Sequence, residues 1–353
     1  MDKIRHLDMK NISRILIFGI LCGSISCSVE IETEPTDKEI LLSPSVSYED
    51  ETISKATLYD NSNLIVEGKG NFSVTSYKAG TTDRYFLNFD RVYYFQDDQS
   101  WRFYDSTVGG QGVFYQRYWP SYPLDFFAYM PYDNNNTGVT VLAETKSIQC
   151  SLPTDYNKQV QAQEFVYAYA PGQSYSDNNN GQVNLAFIHP FSAIRFVLGA
   201  AHGNTLIRSF ELRNIAYKGS LDVSSNPGQD DLDDTDWRIP DPTDNVGTIS
   251  IPVNKTVGKV GSEGIQLNAK LGTDLILLPQ SITEDMKIYV DFTWNNVDYK
   301  PEIKINTRQT TPWQPGKIYT YRLNLGDSDE DIISLVSVTP WTDNGYKNDI
   351  NVE

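Results

Sequence analysis

The chain has few of the residues that build metal centres and disulfide frameworks, with only three histidines and three cysteines among 353 residues. This small supply argues against rich metal or thiol chemistry. Basic residues are also in the minority, with 29 Lys and Arg against 46 Asp and Glu and a net charge of −17. Because phosphate binding needs a basic face, this balance argues against nucleic acid as a partner.

Apolar runs long enough to cross a bilayer, which takes about 20 residues, are also missing. The apolar run from Ile15 to Leu21 is shorter and follows a basic N-terminal stretch. Shortly after it comes Ser24-Ile25-Ser26-Cys27. These four residues resemble the lipobox of bacterial lipoproteins. The resemblance predicts a lipoprotein signal peptide over residues 1–26 and an acyl chain, such as palmitate, on Cys27. The alternative is an ordinary secretory signal, cut near Ser26 and without lipid.

If this signal is removed and Cys27 is acylated, Cys150 is the only thiol that remains. No intrachain disulfide is then available, so stability must come from a hydrophobic core. Residues 28–40 are acidic and have no core pattern. They are typical of a tether between a membrane and a folded domain.

Helical periodicity is absent as well, because no long stretch repeats its apolar residues every 3.6 positions. What the chain has instead is a period of two, most clearly over residues 194–198, 288–294 and 319–325. That alternation is typical of half-buried antiparallel strands. Together with 23 Gly, 17 Pro and 12% aromatic residues, it predicts a nearly all-β protein built from sandwiches.

A polar, turn-rich loop at Ser174–Gly181 lies near the middle of the chain. It predicts a domain boundary near residues 175–185, with an N-terminal β-sandwich over 46–182 and a C-terminal β-sandwich over 183–353. The segment 225–245 is the most acidic in the chain. Its aspartates over 230–244 are interpreted as a solvated loop, and calcium binding there stays open.

Catalytic motifs are missing: there is no HExxH, nucleophile elbow, Walker loop or CxxC pair. His189 lies in an apolar strand pattern and is interpreted as a core histidine rather than a base. The chain is therefore predicted to be no enzyme and to need no cofactor. A surface glycosidase is the enzymatic alternative, since paired catalytic carboxylates meet only in the fold and cannot be chosen from spacing.

The densest aromatic stretch runs from Tyr115 to Tyr132. One interpretation is a platform on which carbohydrate rings stack. The other is a set of core strands separated by prolines. Residues 125–130 alternate as a strand does, which favours the core.

This aromatic stretch also carries a family resemblance. Tyr118-Trp119-Pro120 followed by Leu124 to Pro131 resembles the "WP…FxAYxP" signature of the fimbrillin family, a family of surface lipoproteins in certain gut and oral Gram-negative bacteria. Further segments resemble family motifs in the same order: Phe187–Phe196, Ile215–Leu221, Leu277–Gln280, Trp313–Tyr319 and Val338–Trp341. Together they extend over most of the chain.

The resemblance implies two tandem transthyretin-like, Greek-key β-sandwich domains and a structural or adhesive role in cell-surface fimbriae (pili). It implies export to the outer membrane as a lipoprotein and assembly by donor-strand exchange, a form of β-augmentation. The partners would be other fimbrial subunits, whether copies of this chain or anchor and tip proteins, together with a host or bacterial receptor that the sequence does not name. The alternative is an uncleaved, lipid-anchored adhesin or glycan-binding module.

In polymerising family members a protease removes the lipidated tail together with the first strand. Here that implies a tether and the start of a removable strand over residues 27–45, with the strand itself over Ile40–Tyr48. Lys55, in Ser54-Lys55-Ala56, stands where the family carries Arg, and no Arg lies between Cys27 and Arg84. Processing would therefore need a protease that accepts Lys55 or, as a second candidate, Lys38.

The donor strand implied by the resemblance lies near 331–341. Ile332, Ser334, Val336 and Val338 are expected to share one face of it, with Trp341 at its end. The alternative is an ordinary last strand of the C-terminal sandwich.

Overall fold

The structure is a computed structural model, and the residues that it describes are 38–46, 71–87, 89–95, 97, 99–105, 112–133, 137–161, 164–178, 181–201, 204–240, 245–257, 269–270, 274–305, 311–325 and 333–340. The strands, in chain order, are β1 (Leu41–Val46), β2 (Asn71–Lys78), β3 (Asp90–Phe95), β4 (Ser100–Asp105), β5 (Val113–Tyr115), β6 (Leu124–Met130), β7 (Val139–Leu142), β8 (Ser147–Ser151), β9 (Val166–Gln173), β10 (Gln182–Phe187), β11 (Ser192–Ala201), β12 (Thr205–Ala216), β13 (Lys218–Asp222), β14 (Val246–Val257), β15 (Ala269–Lys270), β16 (Leu275–Leu277), β17 (Lys287–Trp294), β18 (Val297–Tyr299), β19 (Glu302–Lys304), β20 (Lys317–Leu325) and β21 (Ile333–Pro340). Within these residues there is one short α-helix, α1, over Tyr156–Gln161.

The N-terminal part is organised around a six-stranded antiparallel sheet, ordered β5-β4-β3-β2-β6-β9 and here named the β2 sheet. One face of it carries Val74, Ala128 and Ala168, which are paired neighbours on β2, β6 and β9. This face and the parallel pair β1–β10 enclose the first hydrophobic core. Because successive side chains of a strand point to opposite faces of its sheet, the intervening residues of β2, β6 and β9 lie on the other face.

The opposite face of the β2 sheet packs into a second core. That core is shared with a three-stranded sheet, ordered β13-β8-β7 and named the β8 sheet. Tyr129 and Tyr167 contribute from the β2 sheet, Ile148 and Leu221 from the β8 sheet, and Trp237 from the acidic segment. Strands from both halves of the chain therefore meet in one sheet.

The C-terminal part has two sheets on either side of a third core. The β11 sheet is ordered β15-β11-β20-β21, with β16 also paired to β11. The β12 sheet is ordered β14-β12-β17-β18, with β19 also paired to β17. Phe196 from β11 and Phe210 from β12 meet across this core with ring centroids 4.5 Å apart.

The prediction of a nearly all-β protein is confirmed. The strands predicted at 194–198, 288–294 and 319–325 lie within β11, β17 and β20. In the part of the chain described above, no helix has the length and apolar character needed to cross a membrane.

Candidate functional site: the first strand and its slot

The first strand is held by a mixed set of backbone contacts. Before β1 begins, the N–H of Ile40 donates to the carbonyl oxygen of Arg117 at 2.7 Å, and the N–H of Trp119 donates to the carbonyl oxygen of Lys38 at 2.9 Å. From Leu41 to Val46 the chain then runs parallel to β10, in register from Leu41 opposite Gln182 to Val46 opposite Phe187. Among the strands that the structure describes, β10 is the sole ladder partner of β1.

The side chains of this segment make it part of the core. Ile40, Leu42 and Val46 are 2%, 6% and 2% exposed and belong to the first core, whereas Leu41 is 43% exposed. Pro44 lies in the middle of the strand and has no N–H to donate. A proline at this position is typical of an edge strand. Here "the slot" means the space along β10 and the first core that residues 40–46 fill.

Trp119 and Gly181 shape one end of the slot. Trp119 is fully buried, and its indole N–H donates to the carbonyl oxygen of Gly181 at 3.3 Å. Gly181 has a φ of +83°, and a Cβ there would lie 2.8 Å from the carbonyl oxygen of Glu39 and 2.9 Å from the indole nitrogen of Trp119. Only glycine allows this close approach without a shift of the segment that leads into β1.

Lys38 is exposed, and its ammonium lies 4.1 Å from the centroid of the Tyr175 ring. It precedes β1, so cleavage after Lys38 would detach the preceding residues and leave the strand in place. Lys55 follows β1 in the chain and lies, like Cys27, outside the described residues. Of the two predicted processing positions, Lys55 alone is placed so that cleavage would separate β1 from the rest of the fold.

The predicted donor segment forms β21, which pairs antiparallel with β20 at the edge of the β11 sheet. Ser334 stands opposite Arg322, and Val338 stands opposite Tyr319 and is 47% exposed. The register shifts by one residue at Val336, so that alternate positions before and after it do not follow one face. Ile332 and Trp341 lie outside the described residues.

The acidic segment forms two short 3-10 turns, Gln229–Asp231 and Asp234–Asp236. The second begins with a reciprocal capping box between Asp233 and Asp236. Asp234 also borders an open cavity of about 520 Å³ whose other walls include Ala216, Gln280 and Met286. The residues that the structure describes contain no cluster of three or more His, Cys, Asp or Glu that could hold a metal ion.

Two reactive side chains singled out by the sequence are buried structural groups. His189 is 2% exposed, and its Nδ1 hydrogen-bonds to the equally buried carboxylate of Glu164. Cys150 is buried in β8, and this burial raises the pKa of its thiol to about 12. A thiol of that pKa stays protonated at neutral pH and is a poor nucleophile.

Neither Gly181 nor Arg117 was predicted from the sequence to line the slot. Gly181 ends the polar loop predicted as a domain boundary, and its signal was a glycine after three asparagines, which indicates a residue with positive φ but not what it approaches. Arg117 lies directly before the Tyr118-Trp119-Pro120 motif. Its side chain binds Asp90 through an ion pair of 2.8 Å, which ties the segment opposite residues 38–40 to β3.

This chain is similar to a family of fimbrillin-like proteins and to solved cell adhesion proteins. A fimbrillin-like family model matches residues 47–341 and thus begins directly after β1. A candidate cell adhesion protein from Bacteroides uniformis shares 15% identity with a TM-score of 0.50, over 88% of this chain and 100% of the other. Another candidate cell adhesion protein, from Bacteroides ovatus, shares 16% identity with a TM-score of 0.51, over 88% and 98%. The tip fimbrial protein Mfa3 from Porphyromonas gingivalis shares 12% identity with a TM-score of 0.38, over 79% and 96%. No curated protein matches the sequence.

Proposed function

Because this chain belongs to the fimbrillin-like family, we propose that it is a structural or adhesive subunit of cell-surface fimbriae whose assembly uses the β1 slot. The assembly proposal is supported by the way β1 is held, with few backbone partners and a buried apolar face. The strand has one ladder partner among the described strands, yet it buries Leu42 and Val46, and Ile40 directly before it is buried as well. It can therefore leave as a unit, and its departure would open a slot that only another strand fills well.

Loss of β1 would be costly if nothing replaced it. The edge of β10 over residues 182–187 would expose unpaired backbone donors and acceptors. Its buried side chains Val183, Leu185 and Phe187 would lose their cover at the same time. A donor strand with alternating apolar side chains restores both kinds of contact, which is the physical basis of β-augmentation.

We assign the donor to β21 of the next subunit. It is already an extended strand at a sheet edge, so it can exchange partners without refolding a helix or crossing the core. In a single chain it completes the β11 sheet, and this intramolecular position is the competing alternative. Cleavage after Lys55 would release β1, whereas cleavage after Lys38 would yield a subunit that keeps its own strand.

The proposed location is the cell surface, with an N-terminal lipid as the anchor. Acylation at Cys27 would hold the precursor at the outer membrane until processing, after which the subunit joins its partners at the cell surface. A copy that is never cleaved would stay a lipid-anchored adhesin. Both versions are binding proteins, and neither requires catalysis.

A covalent lock on β1 tests the exchange step. Ser43 and Asn184 are paired across β1 and β10, and neither is buried. Parallel neighbours lie about 4.8 Å apart, within the range of a disulfide. The double variant Ser43→Cys with Asn184→Cys, oxidised, is compared with each single variant and with the unchanged protein. Each is treated with a Lys-specific protease and analysed for unboiled oligomer ladders, N-terminal sequence and intact mass.

Exchange through the slot predicts a ladder from the unchanged protein and from both single variants, with a new N-terminus after Lys55. It predicts no ladder from the oxidised double variant, and recovery of the ladder after reduction. Ladders that form equally well with the lock in place would overturn assembly through this slot. An intact acylated Cys27 on protein recovered from the cell surface, without a ladder, would favour the uncleaved adhesin.

A further inference from the structure

The face of the β2 sheet that packs into the second core is only partly covered. Ser73, Arg91, Tyr104 and Phe114 are paired neighbours across β2, β3, β4 and β5, on the same face as Tyr129 of β6. Tyr129 is a member of the second core, whereas Arg91, Tyr104 and Phe114 are partly exposed. The β3–β5 half of this face therefore extends beyond the cover that the β8 sheet provides.

Three tyrosines surround one guanidinium on this β3–β5 half, where the side chains are partly exposed. The Cζ of Arg91 lies 4.8 Å from the ring centroid of Tyr132, 5.7 Å from that of Tyr93 and 5.8 Å from that of Tyr104. The rings of Tyr93 and Tyr104 are themselves neighbours at 5.7 Å. All four side chains are partly exposed. We name these four residues the tyrosine–arginine face.

The polar atoms of this face are unusual in their lack of partners. Within the residues that the structure describes, the guanidinium of Arg91 contacts rings but neither donates a hydrogen bond nor pairs with a carboxylate. The hydroxyls of Tyr93, Tyr104 and Tyr132 have no hydrogen-bond partner in that part of the chain either. In a protein of net charge −17, an arginine without a carboxylate stands out, because acidic residues outnumber basic ones.

The backbone fixes the position of Tyr104. Gly112 has a φ of +71°, and a Cβ there would lie 2.0 Å from the Tyr104 hydroxyl oxygen. The ring thus lies directly against the Gly112 backbone, which leaves it little freedom to move. A platform whose rings are fixed before binding loses less side-chain entropy when a ligand arrives.

We propose that the tyrosine–arginine face binds an acidic polysaccharide, one whose sugar rings carry carboxylate or sulfate groups. Ring faces suit the C–H faces of a sugar, and phenolic hydroxyls both donate and accept hydrogen bonds, as sugar hydroxyls do. The planar guanidinium of Arg91 is suited to paired hydrogen bonds with a carboxylate or sulfate. An extended peptide would be expected instead at a strand edge, where backbone groups are free, and this site is a sheet face.

This inference rests on the proposed adhesive role and names the ligand class for it. The test measures binding of the protein purified from the cell surface to four polymers by calorimetric titration. Polygalacturonate supplies carboxylates on sugars, heparin supplies sulfates on sugars, dextran supplies neutral sugars, and polyglutamate supplies carboxylates without sugars. The proposal predicts binding to polygalacturonate or heparin that is at least about tenfold tighter than to dextran and polyglutamate.

Two variants locate the site. Arg91→Gln is expected to weaken the binding by at least about tenfold, because a charge-assisted hydrogen bond is lost. Tyr104→Phe keeps the ring, loses only the hydroxyl and is expected to weaken binding by about two- to tenfold. The matched control is Arg213→Gln, since Arg213 also lies over a tyrosine ring, 4.2 Å from the Tyr289 centroid, but is ion-paired with Glu211 and Glu302. That variant should bind as the unchanged protein does.

Several outcomes would overturn the assignment: no binding to either acidic polysaccharide, equal binding of dextran or polyglutamate, or equal losses in the Arg91→Gln and Arg213→Gln variants. The ratio of polygalacturonate to heparin affinity identifies the acidic group. The oligomer ladder is measured on the same variants. If the unchanged protein forms a normal ladder but binds no acidic polysaccharide, this inference is refuted and strand exchange stays intact. If it binds the polysaccharide but forms no ladder, strand exchange is refuted and this inference stays intact.

Discussion

At the scale of single residues, the most consequential charge is the carboxylate of Asp125 inside the β2 sheet. It lies 3.0 Å from the ammonium of Lys146 and accepts backbone N–H groups of Gly80 at 3.0 Å and Gly172 at 2.8 Å. Burial alone would raise the pKa of Asp125, but these hydrogen bonds and the Lys146 charge lower it below its usual value. The carboxylate is thus stabilised in its charged form within the fold.

Asp125→Asn should remove this stabilisation and leave the Lys146 ammonium buried without its counter-charge. We expect the free energy of unfolding at pH 7 to fall by about 3–5 kcal/mol. Because the folded pKa is depressed, the contribution of Asp125 is present above its unfolded pKa of about 3.9 and is lost as the pH falls toward the folded value. Urea unfolding between neutral and acid pH should therefore show a steeper acid loss in the unchanged protein than in Asp125→Asn.

The matched control is the surface pair of Arg84 and Glu144, whose charged atoms lie 2.7 Å apart and in which the Glu144 side chain is 80% exposed. Glu144→Gln should change stability by less than about 1 kcal/mol, since solvent screens this carboxylate. Equal losses in the two variants would show that Asp125 contributes no more than a surface charge.

The sequence predicted which aromatic residues lie in the core, but it did not predict the buried pair of Asp125 and Lys146. The aromatic stretch was interpreted as core rather than platform, and Trp119, Phe126 and Phe127 are indeed fully buried. Asp125 belongs to the same stretch, but its partner Lys146 lies in the polar turn between β7 and β8. Two such segments meet only through the register of the sheets, which the sequence pattern does not contain.

At the scale of elements, regular strands were predicted best. β17 alternates over its whole length, and it was predicted over nearly its observed range. β12 was not recognised, and its register shifts twice against β14, between Ile207 and Ser209 and between Arg213 and Ile215. Each irregularity inverts the alternation of side chains, so a long strand presents no continuous period of two.

The last strand offers a test that separates its two candidate roles. Leu335 of β21 packs against the third core, whereas Val338 is largely exposed. Leu335→Ala should lower the free energy of unfolding of the single chain by about 1–3 kcal/mol, because apolar contact area is lost. Val338→Ala should change it by less than about 0.5 kcal/mol. If β21 is the donor, both variants should weaken the oligomer ladder.

Urea unfolding of the monomer and the ladder assay together decide this point. A Val338→Ala variant with unchanged stability and a weaker ladder would locate the exposed side chain in the contact between subunits. An unchanged ladder in both variants would mean that β21 serves only as the last strand of its own sheet.

At the scale of the whole molecule, a negative net charge governs how two copies approach each other. It is −17 for the full chain and −13 for residues 56–353, which would remain after cleavage at Lys55. Like-charged subunits repel over roughly the Debye length, which is about 10 Å at 0.1 M salt and about 3 Å at 1 M. Assembly of processed subunits should therefore accelerate several-fold as salt rises over that range, measured by light scattering. Assembly that slows with added salt would indicate complementary charged patches between subunits instead.

The family resemblance, drawn from short motifs in the right order, is confirmed by the family match over residues 47–341. The sequence did not predict that strands from the two halves of the chain pair in one sheet. β8 pairs with β13, with Cys150 opposite Gly219, although the predicted domain boundary lies between them. A contact across so many residues leaves no local pattern, because each strand alternates in the same way whichever partner it finds. The prediction of two sandwich domains stays a prediction.

Under the proposed assembly, Pro44 has a consequence for how the uncleaved chain would behave. A sheet edge attracts other chains because it offers a row of backbone donors and acceptors, and β1 supplies such an edge with a proline at its centre. The missing N–H breaks that row, so the occupied slot is a poor template for a foreign strand. If assembly proceeds as proposed, uncleaved chains at high local concentration would therefore stay separate, and the edge of β10 would be uncovered only after β1 has left.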